Sequence, residues 1–398
     1  MSSIPYGRQS ITEEDIEAVV AVLRSDWLTT GPAVERFEQA LAGYVGAPHA
    51  VVLANGTAAL HAAMFALRIA PGDEVIVPAM TFAATANCVV YQGGRPVFAD
   101  VQADTLLLDP ADAARRITPR TRAIIAVDYA GQTCDYAALG GLARRHGLAL
   151  VADASHSLGA KEGGRSAGSL AELSTFSFHP VKPITTGEGG AVTTADAGLA
   201  LRIRRFRNHG ITCDHRQRAQ SGTWSYEIAE LGYNYRLSDI HCALGLAQLQ
   251  RLGTMLDRRR QIARQYDEAL ADLPGLCPLA LRSGVRHAYH LYVVRVDREL
   301  LGADRDAVFA GLREAGISAN VHYLPVHLHP FYRRRFATGP GDCPVAEAAF
   351  CEILTLPLFP AMTDGDVGRV ITALRCIAAG NGPSFSDSHA PVLPGATL

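Results

Sequence analysis

The chain has 398 residues, 48% of them hydrophobic, with 19% charged and a formal net charge of -2. That is enough apolar material for one large domain and a smaller one. The near-balanced charge excludes any electrostatic case for nucleic acid or an anionic membrane as a partner.

The start, Met1-Ser2-Ser3-Ile4-Pro5-Tyr6, lacks a basic region followed by an apolar core, so no signal peptide is expected. Short apolar runs then alternate with helical patterns. Ala50 to Ala54 reads as a strand, followed by a helix from Thr57 to Leu67. Glu74 to Val77 is the next strand, with a helix after Thr81. Pro96 to Asp100, Ala123 to Val127 and Leu148 to Ala152 follow, the last two separated by a helix over Tyr136 to His146. Ser174 to Phe178 and Ala191 to Thr194 complete the series. Such alternation predicts an α/β fold with a mostly parallel sheet covered on both faces.

From Asp239 to about Leu273 the pattern is one long helix, ended by Pro274-Gly275. Strands over Tyr289 to Val296 and around Val321, flanking a helix over Val308 to Ala315, suggest a small α+β domain. We therefore expect a large domain over 1–245, a smaller one over 246–379, and a disordered tail over 380–398, rich in Gly, Pro and Ser. The eight cysteines are scattered, without a CxxC pair or metal-ligand spacing, and read as reduced thiols. No apolar run reaches the roughly 18 residues that suggest a membrane span. A cytoplasmic protein is expected.

Three stretches carry chemistry. Asn55-Gly56-Thr57-Ala58 lies at a strand-to-helix junction, where free amides can face an anion or simply be capped. Asp153 ends an apolar strand, the position where open α/β sheets bind ligands. It could equally cap a turn, and His156 could be an ordinary interior histidine. The third stretch is Ser177-Phe178-His179-Pro180-Val181-Lys182, running on to Gly187-Glu188-Gly189-Gly190. Each feature alone is common; their order along the chain is informative. A pyridoxal cofactor needs a lysine, a carboxylate for the pyridinium nitrogen, an anion cradle and a group over the ring face. Lys182, Asp153, Gly56 to Ala58 and Phe82 supply these, although Phe82 also fits plain core packing.

With these stretches, Trp27-Leu28-Thr29-Thr30-Gly31-Pro32 and Gly232-Tyr233-Asn234-Tyr235-Arg236, the sequence resembles the DegT-type sugar aminotransferases of the aspartate aminotransferase fold type. The likeness runs from about Tyr6 to about Leu374. Ser177 to Lys182, Val321 to His327 and Pro330 to Arg333 are similar, more narrowly, to the pseudaminic-acid-pathway 4-aminotransferases.

The resemblance implies the pyridoxal-phosphate-dependent transferase fold type I, with pyridoxal 5'-phosphate held on Lys182. It implies that Asp153 pairs with the ring nitrogen, His156 approaches the phenolic oxygen and Phe82 stacks on the ring. It places the phosphate on Gly56, Thr57, Ala58 and Ser177, with Asn234 reaching in from the partner of a homodimer. Tyr6, Asp26, Trp27, Leu28, Thr29, His322 and Tyr323 match positions that line the sugar-nucleotide pocket. The implied substrates are L-glutamate and a UDP-linked keto-sugar. Two departures stand out: Asn55, where many relatives carry Ser, and Asp128 before Tyr129. Related dehydratases carry His where this chain has Lys182, and no GxGxxG follows the first strand to suggest a dinucleotide enzyme.

Overall fold

The computed structural model describes residues 3–380; all but the first residue of the expected tail lies outside them. Seven strands form the central sheet: β1 (His49–Leu53), β2 (Glu74–Pro78), β3 (Arg95–Ala99), β4 (Thr121–Val127), β5 (Ala149–Asp153), β6 (Leu173–Ser177) and β7 (Gly190–Thr194). Their spatial order is β1-β7-β6-β5-β4-β2-β3. β6, β5, β4, β2 and β3 run parallel, each joined to the next along the chain by a long crossover. β7 runs antiparallel to both β1 and β6. It can do so because the 178–189 connection from β6 folds back as a hairpin loop, with the Phe178 amide donating to the Gly189 carbonyl at 2.8 Å.

Helices cover both faces. The stretch expected to form the first of them, after β1, is Gly56–Ala66, capped by the Asn55 side chain, which accepts from the Ala58 amide at 2.8 Å. The next is Ala84–Tyr91. Two further helices, Glu13–Leu23 and Pro32–Val45, precede β1 and were not among the expected elements. Two large apolar cores result, one on each face of the sheet.

The long helix expected over Asp239 to Leu273 is two helices, Asp239–Gln250 and Leu252–Leu270. Arg251, at φ -105° and ψ 7°, leaves the helical region and joins them. No proline marks the break and Gly253 falls inside the second helix, so hydrophobic periodicity ran through it. Arg251 itself donates to the buried Asp15 carboxylate at 2.5 Å and to the Ser10 carbonyl, contacts that hold the junction against the first helix.

The second sheet has strands β8 (Leu276–Pro278), β9 (Tyr292–Val296) and β10 (Ile353–Leu356), all antiparallel in that order. β10 was not anticipated, and the strand expected around Val321 is absent. There, only Asn320 makes a single bridge, to Thr355, before the chain turns toward β2 and the Tyr323 amide meets Met80 Sδ at 3.3 Å. The helix beside it spans Arg305–Glu314. A third apolar core lies under this sheet. It includes Ile4 from the far end of the chain, whose amide donates to the Gly316 carbonyl at 2.9 Å. No helix among the described residues is long and apolar enough to cross a membrane.

Candidate active site

Asp153 stands at the carboxyl end of β5, near the middle of the sheet, and is 5% exposed. Its two oxygens are fixed separately. Oδ2 accepts from the Thr85 hydroxyl at 2.7 Å and Oδ1 from the Ser155 hydroxyl at 2.6 Å. Thr85 sits in the first turn of the Ala84–Tyr91 helix, and its hydroxyl is 2.7 Å from that of Thr81 in the preceding loop. Neither Thr85 nor Ser155 drew notice in the sequence.

Lys182 follows β6, in the loop closed by the 178–189 hairpin. Burial pulls its amine down from 10.5 to about 8, opposed by the Asp153 charge. Its Nζ lies 3.3 Å from Nε2 of His290, a residue sequence reasoning missed. The His290 ring packs against that of His156, with centroids 4.4 Å apart. His156 Nε2 in turn lies 3.2 Å from the Tyr323 hydroxyl, and the Tyr323 ring is 6.1 Å from that of Phe82. Phe82 is 60% exposed, so it presents a ring to the cleft rather than to the core.

His322 extends the same wall. Its ring is 5.6 Å from Tyr6, and its Nδ1 is 2.9 Å from the Thr355 hydroxyl. The Tyr129 hydroxyl donates to its carbonyl. Burial and the Lys182 charge lower His322 to about 4 and hold His156 and His290 well below 6.5. All three are therefore neutral at pH 7. Asp128, one of the two departures, is a buried brace: it accepts from Ser157, Tyr136 and the Cys134 amide, at 2.6, 2.8 and 2.9 Å. Burial raises it to about 7.

The anion-cradle residues converge on the start of the helix after β1. A Cβ on Gly56 would sit 2.8 Å from Ser177 Cβ, and one on Gly190 would sit 2.5 Å from the Asn55 carbonyl. Glycine at both positions lets β1, β6 and β7 close around one helix N-terminus, where first-turn amides lack intrahelical acceptors. The Ala58 amide is an exception, since Asn55 already occupies it. That is what the Asn55 departure does.

Asp26, Trp27, Leu28 and Thr29 are exposed. The Leu28 carbonyl accepts from the Asp239 amide at 3.1 Å, and the buried Asp239 carboxylate takes the Gly31 and Ala33 amides at 2.7 and 2.9 Å. No contact joins this stretch to the Lys182 cluster among the described residues. Asn234 is also exposed, on a loop whose next residue, Tyr235, accepts from the Ala54 amide at 2.8 Å. Distance along the chain therefore does not keep this loop from its own cradle.

A pyridoxal phosphate group fits these residues. His156 Nδ1 is buried without a partner, beside an amine and a carboxylate, and an open helix N-terminus stands at the adjoining strand end.

Residues 9–375 match the model of the DegT/DnrJ/EryC1/StrS aminotransferase family. The chain belongs to that family. The spore coat polysaccharide biosynthesis protein SpsC of Bacillus subtilis (strain 168) is 41% identical over 95% of this chain and 97% of its own. Spr1654 of Streptococcus pneumoniae, solved in PLP and PMP forms, superposes with TM-scores of 0.88 and 0.89 at 34% and 35% identity, covering 95% of this chain and 99% of its own. Helicobacter pylori PseC, an aminotransferase involved in pseudoaminic acid biosynthesis, gives a TM-score of 0.88 at 31% identity, covering 95% of this chain and all of its own. The enzyme is thus a pyridoxal-phosphate-dependent sugar aminotransferase of fold type I.

Proposed function

We propose that the enzyme moves an amino group from L-glutamate to the 4-keto carbon of a UDP-linked 6-deoxy-N-acetyl-hexosulose, as in a pseudaminic acid pathway. The supporting observation is the wall formed by Tyr6, His322 and Tyr323 beside Lys182, combined with the likeness to PseC. A carbonyl substrate lying against this wall meets the lysine amine from the side that two tyrosines and a histidine shape. The SpsC likeness supports a second reading, amination of another nucleotide-linked keto-sugar destined for a surface polysaccharide. A panel of nucleotide-linked keto-sugars, assayed with glutamate by 2-oxoglutarate release, separates the two. Turnover of the N-acetyl-hexosulose is expected to be fastest; faster turnover of a sugar lacking the N-acetyl group would favour the second reading.

In the mechanism, pyridoxal phosphate supplies an electron sink for the bond broken at the amino-bearing carbon. Gly56, Thr57 and Ser177 would hold its phosphate, the Ala58 amide being taken by Asn55, with Asp153 at its ring nitrogen, His156 at its phenolic oxygen and Phe82 on its ring face. The Thr85 and Ser155 hydroxyls orient the Asp153 carboxylate. Lys182 Nζ takes the proton from the donor carbon and returns one, as general base and acid. An amine near 8 suits both roles at neutral pH. The neutral histidines around it leave that proton on the lysine.

The division into a cofactor unit, 1–245, and a smaller unit, 246–379, belongs to this proposal. The separate third core supports it, with Ile4 as the exception. A cytoplasmic location is supported by eight free cysteines.

We assign the active site to a homodimer. Trp224, Ile228 and Leu231 are 88, 66 and 80% exposed on the loop that carries Asn234, large apolar side chains that a second subunit would cover. Thr29 bridges Ser238 at the foot of the same loop, so Asp26 to Thr29 and Asn234 would enter a partner's site together. Subunit exchange between inactive Lys182→Ala and Asn234→Ala proteins tests this. Mixed dimers carry one intact site, so up to about half the activity per mixed dimer is expected to return. No recovery after demonstrated exchange would place Asn234 in its own subunit's site.

A further inference from the structure

The one side-chain partner of Lys182 among the described residues is His290, which no motif in the sequence singled out. His290 is 4% exposed and locked from several sides. The Leu291 amide donates to the Ala130 carbonyl at 3.1 Å. The buried Arg259 guanidinium donates to the carbonyls of Tyr289 and His290 at 3.2 and 3.4 Å. Gly131 lies so near that a Cβ there would be 3.0 Å from the His290 backbone nitrogen and from the His156 carbonyl, which fixes the main chain under the ring. With the His156 ring tilted against it, centroids 4.4 Å apart, the His290 ring has little room to swing.

A lysine that carries a proton back and forth alternates between two forms. The ammonium only donates hydrogen bonds; the neutral amine also accepts. Imidazole has a matching pair of tautomers, with Nε2 an acceptor in one and a donor in the other. His290 Nδ1 is buried and unpartnered, so no second hydrogen bond pins either tautomer.

We infer that His290 is a positioning residue whose Nε2 stays hydrogen-bonded to the Lys182 amine in both protonation states of that amine. It keeps Nζ aimed along one line whenever the lysine is not covalently engaged. The inference rests on the reading of Lys182 as the proton-moving group. The ionisable groups facing the pair are Asp153, His156, His322 and Arg259. Burial and the Lys182 charge keep His290 neutral among them, so it meets the lysine as a dipole rather than as a charge.

The test uses full-length protein freed of cofactor. Reductive methylation of Lys182 is followed by mass spectrometry across a pH series. The parent amine is expected to titrate near 8. His290→Phe keeps a ring but removes the acceptor, leaving a buried ammonium less supported, so its midpoint is expected about one unit lower. His290→Gln both accepts and donates through its amide and is expected to restore the parent midpoint. A Phe variant that titrates with the parent overturns the inference, as does a Gln variant that titrates with the Phe variant. A second arm covers misfolding of the Phe variant. In protein labelled with 15N-histidine, Lys182→Met is expected to shift the ring-nitrogen resonances of His290 and leave those of His61 in place. An unshifted His290 overturns the inference. Neither arm uses substrate, so an enzyme inactive on every sugar would sink the proposed reaction and leave these outcomes intact.

Discussion

Lys182→Ala is expected to abolish amino transfer, with a loss of at least about 10⁴-fold, the upper range for removal of a positioned acid–base group. Lys182 is both the group that would fix the cofactor and the group that moves the proton, so the two losses coincide. Nothing nearby can substitute. The neighbouring nitrogens belong to His290 and His156, which burial keeps far below neutral titration and which cannot form the covalent link. Borohydride treatment of the parent is expected to fix the cofactor on the peptide containing Lys182, and on no peptide of the variant. Full turnover by the alanine variant would remove Lys182 from the mechanism.

The second large effect concerns Asp153. Asp153→Asn keeps the shape of the side chain and loses its charge. The surroundings tolerate the change: an asparagine oxygen at the Oδ1 position still accepts from the Ser155 amide and hydroxyl, and its NH2 donates to the Thr85 hydroxyl, which rotates to accept. Folding and cofactor content are therefore expected to be near those of the parent. The rate is not. Without the charge, the pyridinium proton is lost, and a deficit of about 3–4 kcal/mol in the transition state corresponds to about 10²–10³-fold in turnover. Steady-state rates at matched cofactor occupancy measure it. Equal rates in the two proteins would leave Asp153 a structural role only.

The sequence revealed the central sheet well, for a simple reason. Its strands are short apolar runs bounded by breakers, such as Gly72-Asp73 before Glu74 and Gly93-Gly94 before Arg95. Where breakers are missing, the reading failed. β10 follows the helix Pro344–Glu352 with no intervening residue, so its four residues looked like more of that helix. The Arg251 break is held by Asp15, a tertiary partner that no local pattern encodes. Val321 read as a strand because it is apolar, yet its neighbours leave the sheet to bring His322 and Tyr323 to the lysine.

The site divides along the same line. Lys182, Asp153 and Gly56 stood out because their chemistry demands those residue types next to strand ends. Asp26 to Thr29 also matched a motif, and their place in a site belongs to the proposed dimer. His290, Thr85 and Ser155 were invisible for the opposite reason. They act by touching another side chain, and histidine, threonine and serine in unremarkable stretches carry no mark of whom they will meet.

The antiparallel insertion of β7 bears on the order in which the protein can be built. The first and last strands of the central sheet along the chain are hydrogen-bonded neighbours, and the anion cradle sits at their shared end. The helix start that would receive the phosphate is made early in synthesis, but Gly190, which closes against Asn55, emerges only after every other strand of that sheet. Bringing such distant segments together is slow compared with forming local contacts. A nascent chain can thus assemble most of its parallel strands while its cradle is still open. Capture of cofactor becomes a late event, one that rewards only chains whose sheet has closed, and a bound cofactor would stabilise that closed form by mass action.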